Sequence, residues 1–172
     1  MMESLKCDFE FDSIDFGFEK LNHQKNLLWI LHADKIPPHV GFSAQGQFFS
    51  LKVRGKDEFL PIDKLIELLK LKRISSVVIE LNSNFLLNDL AQKFAQFDRV
   101  KDLKSSCLVP IKDLFILDKN VNQLKELLEF LKENKLINRV FGLNLNQTYK
   151  GIPHYTTYEI ELRLEKLKHV KR

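Results

Sequence analysis

The chain has 172 residues, 44% hydrophobic and 29% charged, with 14 Phe against one Trp and three Tyr. That is long enough for a core needing neither disulfides nor metal, and too apolar and too nearly neutral, at net +4, for a disordered chain. The longest strongly apolar run, Leu27 to Leu31, is far short of the roughly 20 residues of a spanning helix, so no membrane span is expected.

Two cysteines, Cys7 and Cys107, make no disulfide framework, and the start Met1 to Asp8 lacks the apolar stretch of a secretion signal. Both point to a reducing, cytoplasmic setting. The positive charge is uneven. Within 163–172 five basic residues (Arg163, Lys166, Lys168, Lys171, Arg172) oppose only Glu165, leaving 22 basic against 22 acidic elsewhere. A basic run confined to one helix end complements the helix dipole, whereas nucleic acid needs a broader basic face with stacking aromatics. No nucleic-acid partner is expected.

In chain order, Phe9 and Phe11 alternate with acids as a half-exposed strand would, so residues 1–25 read as an edge strand or a flexible, acidic, Phe-rich segment. Residues 27–32 read as a buried strand. Pro37-Pro38 forces an extended turn. Val40 to Ser43 and Gln47 to Val53 form a hairpin around Ala44-Gln45-Gly46, with Gly55 ending its second strand. Pro61 suits a first helical turn, followed by Leu65, Leu68 and Leu69 at helical spacing. The β-branched run Val77 to Leu81 is a strand, and Asn84 is placed to cap a helix carrying Leu86, Leu87, Leu90, Phe94 and Phe97. Residues 105–111 are either strand or a strand-to-helix turn. Leu124, Leu127, Leu128 and Leu131 mark a helix, Val140 to Leu145 a strand, and Thr156 with Glu159 a capping box opening the last helix, with Ile160, Leu164 and Leu167 inward. Helices are expected near 61–72, 84–97, 121–134 and 157–170. No linker divides the chain, so a single domain over 1–172 is expected. The class is α+β, an N-terminal antiparallel meander with helices and later strands in one mixed sheet, with an open α/β sheet as the alternative.

No Gly-rich phosphate loop, CxxC or HExxH occurs, and no cofactor or metal is expected. His32, Asp34 and His39 have the donor types of a divalent-ion site, but a hydrogen-bonded His32 at a strand end is favoured. The pair His39 and Cys107 is the stronger feature. The run Leu27 to Leu31, then His39-Val40-Gly41-Phe42-Ser43, Gly46-Gln47-Phe48-Phe49-Ser50 and, later, Ser106-Cys107-Leu108-Val109 leading into Ile111 to Phe115 resembles the circularly permuted NlpC/P60 papain-like cysteine hydrolases. Those proteins carry their histidine on a strand before a glycine-containing hairpin, with the nucleophilic cysteine later, entering a helix. The resemblance implies Cys107 as nucleophile, His39 as base and Ser50, on the partner strand, as orienter. The imidazole would favour the thiolate and later protonate a leaving group. The function implied is a thiol-dependent hydrolase or acyltransferase acting on an amide, ester or thioester in a small-molecule or peptide substrate. The alternative is a non-catalytic domain binding a protein partner, through the acidic Phe-rich segment.

One prediction follows from the charge distribution. Association with duplex DNA should be weak, sequence-independent and lost steeply between 50 and 200 mM salt. Tight, sequence-dependent binding in a filter or polarisation assay at physiological salt would contradict it.

Overall fold

Runs with no polar alternation give strands buried on both faces. In the computed structural model, which describes residues 6–102, 106–117 and 121–169, two such strands, β2 (Asn26–Leu31) and β6 (Ser76–Leu81), are buried at every position. They lie side by side in a six-stranded sheet of order β5-β4-β3-β2-β6-β7. Its other members are β3 (His39–Ala44), β4 (Gln47–Lys52), β5 (Gly55–Pro61) and β7 (Ile137–Leu143). All its pairings are antiparallel. β1 (Cys7–Glu10) and β8 (Gly151–Pro153) form a separate antiparallel ribbon. The α+β class therefore holds, with the later strands β6 and β7 extending the N-terminal meander past β2; the sheet is antiparallel throughout rather than mixed, and β8 pairs with β1 outside it.

Alternation along the strands divides the core in two. Leu28, Ile30, Phe42, Phe49, Val77 and Ile79 face one cluster. That cluster is closed by α2 (Leu87–Ala95), α3 (Val109–Leu114), α4 (Leu124–Glu133), α5 (Thr157–Lys168) and the β1–β8 ribbon. Leu27, Trp29, Leu31, Phe48, Val78 and Phe141 face the other, closed by α1 (Ile62–Leu71) and Phe18 of a 3-10 turn (Phe18–Lys20). The Trp29 indole N–H donates to Ser43 Oγ at 2.8 Å, so the largest buried side chain leaves no orphaned donor.

The β3–β4 hairpin turns through Gln45 (φ 50°) and Gly46 (φ 79°). Two positive-φ residues make the turn whose twist matches the strands. Gly41 matters for space: a Cβ there would sit 2.4 Å from the Phe48 ring. At the far end, Thr156 accepts from the Glu159 N–H and Glu159 accepts from the Thr156 N–H, as the capping-box pattern requires.

Several expectations change. Gly55 does not end a strand but opens β5, whose Lys56-Asp57-Glu58 sequence hides a strand at the sheet edge, where charge is tolerated. Pro61 closes that strand and stands at the N-cap of α1. Leu68 is 40% exposed, because Ile62, Leu65 and Leu69 already form the buried stripe. Asn84 caps nothing: α2 begins at Leu87, with the Leu86 N–H donating to Asp89. The loop before it is held by Asn26, whose amide exchanges hydrogen bonds with the Phe85 backbone. Residue 105 of the ambiguous 105–111 stretch and residues 170–172 lie outside the described residues. Residues 1–5 of the N-terminal segment lie outside the described residues; the rest is held in place, since Phe9 and Phe18 are buried and Asp15 exchanges backbone hydrogen bonds with β7. Among the described residues no helix is long and apolar enough to cross a membrane.

Leu69→Ala and Leu127→Ala, both at fully buried positions, should each destabilise by about 2–5 kcal/mol, and Leu68→Ala by less than about 1 kcal/mol. Urea unfolding followed by Trp29 fluorescence measures all three. An equal cost at 68 and 69 would contradict the orientation of α1.

Candidate active site

The site lies where the sheet stops being regular. Pairing between β3 and β4 runs from Ala44–Gln47 to Phe42–Phe49 and ends there, although β3 continues back to His39 and β4 on to Lys52. Beyond the last pair, the N–H of Val40 acts on the Cys107 thiol and lowers its pKa. Cys107 sits in the turn before α3, one residue ahead of the N-cap Leu108, with Pro110 in the first helical turn where its missing N–H costs nothing. The backbone next to His39 therefore bears on the thiol electrostatically.

Cys107 and His39 line one cavity of about 870 Å3. They reach it from different sides. His39 pairs with Leu31 and alternates in phase with Trp29's partner Gly41, on the α1 side of the sheet. Cys107 packs against the opposite cluster. Both border the same cavity, His39 as the first residue of its strand at the sheet's end.

His39 Nε2 is shielded from solvent and has no hydrogen-bond partner among the described residues. Burial pushes its pKa down to about 4, with Lys52 and His32 acting the same way and Asp57 opposing them. Burial also pushes the Cys107 thiol up, against the lowering effect of the Val40 and Cys107 N–H groups. The resting pair is a neutral thiol and a neutral imidazole. The expected imidazole-stabilised thiolate is absent, because desolvation disfavours both ions more than the surrounding dipoles favour them.

Ser50 is fully buried, but its hydroxyl donates to Asp57 Oδ2 at 3.0 Å rather than to His39. The other Asp57 oxygen accepts from Lys52 at 3.0 Å. Asp57 is thus the acid whose charge reaches His39, and it was hidden in the unrecognised strand β5. His32 has φ 52° and lies exposed at the cavity mouth. Among the described residues no three His, Cys, Asp or Glu side chains gather as metal ligands would, so His32, Asp34 and His39 assemble no such group. The loop from Gln147 contributes Tyr155, which lines the cavity and accepts the Leu124 N–H at 3.0 Å; burial pushes its phenol up to about 12. Comparison with known proteins finds no matching family model, no matching curated protein and no matching solved structure.

A neutral buried imidazole makes stability depend on acid. With the folded pKa below the unfolded value of 6.5, the contribution of His39 is complete above pH 6.5 and is lost as pH falls toward about 4. The loss is at most roughly 3 kcal/mol, and His32, lowered mainly by burial, adds in the same direction. Urea unfolding at pH 7 and pH 4.5 should show a smaller acid loss for His39→Gln than for the native chain. Identical losses would mean that the ring is not held neutral by burial.

Proposed function

We propose that this protein is a thiol-dependent acyl hydrolase or acyltransferase, with Cys107 as nucleophile and His39 as the base that takes its proton. The observation that carries this reading is the shared cavity, lined by a thiol and by a shielded imidazole with an unpartnered nitrogen. The resemblance to permuted NlpC/P60 hydrolases supports the same assignment and order of residues.

The resting protonation states suit a base-assisted attack. The proton passes from the Cys107 sulfur to neutral His39 as the sulfur adds to the acyl carbonyl. The carbonyl π pair becomes an oxyanion, then re-forms the double bond and expels the leaving alcohol, amine or thiol, which takes the proton from the imidazolium. Water or a second acceptor then cleaves the acyl-cysteine, with His39 removing its proton. The Val40 and Cys107 N–H groups act on the sulfur, which is a weak acceptor for them. An oxyanion is a stronger one. Imidazole and sulfur are not hydrogen-bonded in the free protein, so substrate binding must bring them together, as catalytic contacts often tighten only in the complex. Ser50 acts at one remove: its hydroxyl fixes the Asp57 carboxylate, whose charge favours the imidazolium.

A second reading, a binding domain without chemistry, is favoured by the upward shift of the buried thiol. Incubation with p-nitrophenyl acetate separates the two. Peptide mass spectrometry should find an acetyl group on Cys107, formed about 10²- to 10⁴-fold more slowly in His39→Ala. Acetylation confined to Cys7 and lysines, or unchanged at Cys107 in His39→Ala, would remove the enzyme reading.

A further inference from the structure

The cavity is graded from wall to mouth. Val40, Leu51, Leu108, Leu124 and Ile160 line it and are buried. His39 and Cys107 are intermediate in exposure. Lys35, Lys52, Arg54 and Arg163 also line it and are exposed, and among the described residues no Asp or Glu belongs to the lining. The volume, about 870 Å3, is that of a small-ligand site.

Arg163 stands out within this grading. Ile160, Arg163, Leu164 and Leu167 all line the cavity at the spacing of one helical stripe. A guanidinium thus occupies a position that the packing pattern assigns to an apolar side chain. It forms no ion pair among the described residues, whereas Lys52 has Asp57 at 3.0 Å and Lys35 has Asp34 at 4.0 Å. At His32, also on the lining, burial lowers the imidazole's pKa; of the charges, Asp34 raises it, and Arg163 and then Lys35 lower it.

We infer that the substrate is a single-chain acyl ester or thioester whose leaving group carries a phosphate or carboxylate. The chain lies along the buried apolar wall, the carbonyl at Cys107 and His39, and the anionic group at Arg163 with Lys35. The order of the three parts in such a molecule matches the order of exposure in the cavity. This substrate class rests on the acyl-transfer reading. The preference for an anionic amphipath rests on the cavity alone.

Calorimetry with dodecyl phosphate, dodecanoate, dodecanol and dodecyltrimethylammonium, each below its micellar concentration, tests the binding half. The two anions should bind at least about tenfold more tightly than the other two, and Arg163→Gln should remove about tenfold from dodecyl phosphate while leaving dodecanol unchanged. Equal affinity for the cationic and anionic amphipaths would overturn the inference, and this comparison needs no variant. For the chemical half, the dodecanoyl thioester of 3-mercaptopropionate should acylate Cys107 faster than that of 2-mercaptoethanol, a preference lost in Arg163→Gln. Equal acylation by both thioesters would reject the anionic class while leaving the acyl-transfer reading in place. Anion-selective binding with no acylation by either would reject acyl transfer, and with it the substrate, while leaving an anionic-amphipath site.

Discussion

Strands β2 and β6 bury every residue, and the rest of the molecule is arranged around that demand. A strand apolar on both faces is stable only between two layers, since each fully buried Leu, Ile or Val contributes about 1.5–3 kcal/mol that exposure would forfeit. The layers are unequal. One helix, α1, and the Phe18 turn cover one face, while four helices and the β1–β8 ribbon cover the other. The heavier layer reaches the end of the sheet, where α5 and the turn before α3 line the cavity beside β3. Trp29 shows how tightly the inner strands are specified. Its ring fills the α1 side, Phe18 and Phe48 approach it edge-on, and its N–H requires a polar Ser43 on the next strand. A buried indole without that hydroxyl would lose its hydrogen bond and gain nothing in packing.

The same burial sets the chemistry within reach. A cysteine and a histidine on an open surface would form an ion pair only weakly and would be screened by water. Here both are withdrawn from water, which penalises each ion and leaves two neutral partners. Neutrality is no obstacle to an acyl-transfer role, because a base must be unprotonated to accept a proton. It does shift the burden of activation onto the substrate, whose carbonyl must supply the site for charge that burial disfavours. Asp57 fits this division. It is not hydrogen-bonded to the ring, yet its carboxylate is the one charge opposing the loss of the imidazolium. Ser50 and Lys52 hold that carboxylate in place.

What could be read from the sequence was local. The buried strands, the hairpin at Gln45-Gly46 and the Thr156–Glu159 box each depend on residues within a few positions of one another, and periodicity or turn chemistry identifies them. The errors arose where a neighbour distant in sequence decides. Charge in Lys56-Asp57-Glu58 argues against a strand until β4 offers an edge to pair with. Leu68 fits a helical repeat as well as Leu69 does, and only the position of the sheet selects between them. Cys7 and Pro153 pair across most of the chain, beyond the reach of any window. At the site, the order of His39 and Cys107 was visible, whereas their place on one cavity was not. The partner of Ser50 lay in the one strand that went unrecognised. Arg163 was legible in principle, as a charge inside an apolar stripe, but next to the basic chain end it merged with ordinary helix-terminal charge.

The irregularities of β4 connect these levels. Its pairing with β3 stops at Phe49, and its register with β5 shifts between Phe48 and Ser50, close to Phe59 with φ 51°. The extra residue lies in β5, so β5 bulges against β4 on one side while β3 parts from it on the other. Had the β3–β4 ladder continued to the start of β3, a strand carbonyl would compete for the Val40 N–H and close the space beside it. With the ladder ended, that donor acts on a sulfur, one of the weakest acceptors available to it. The Lys52 carbonyl instead accepts the N–H of Val100, another residue of the cavity wall. The early end of one ladder thus opens the cavity, leaves a donor with a weak partner and lets it act on the thiol. These are consequences of a single change in backbone pairing, so a side chain that restored regular pairing beyond Phe42 and Phe49 would alter all three together.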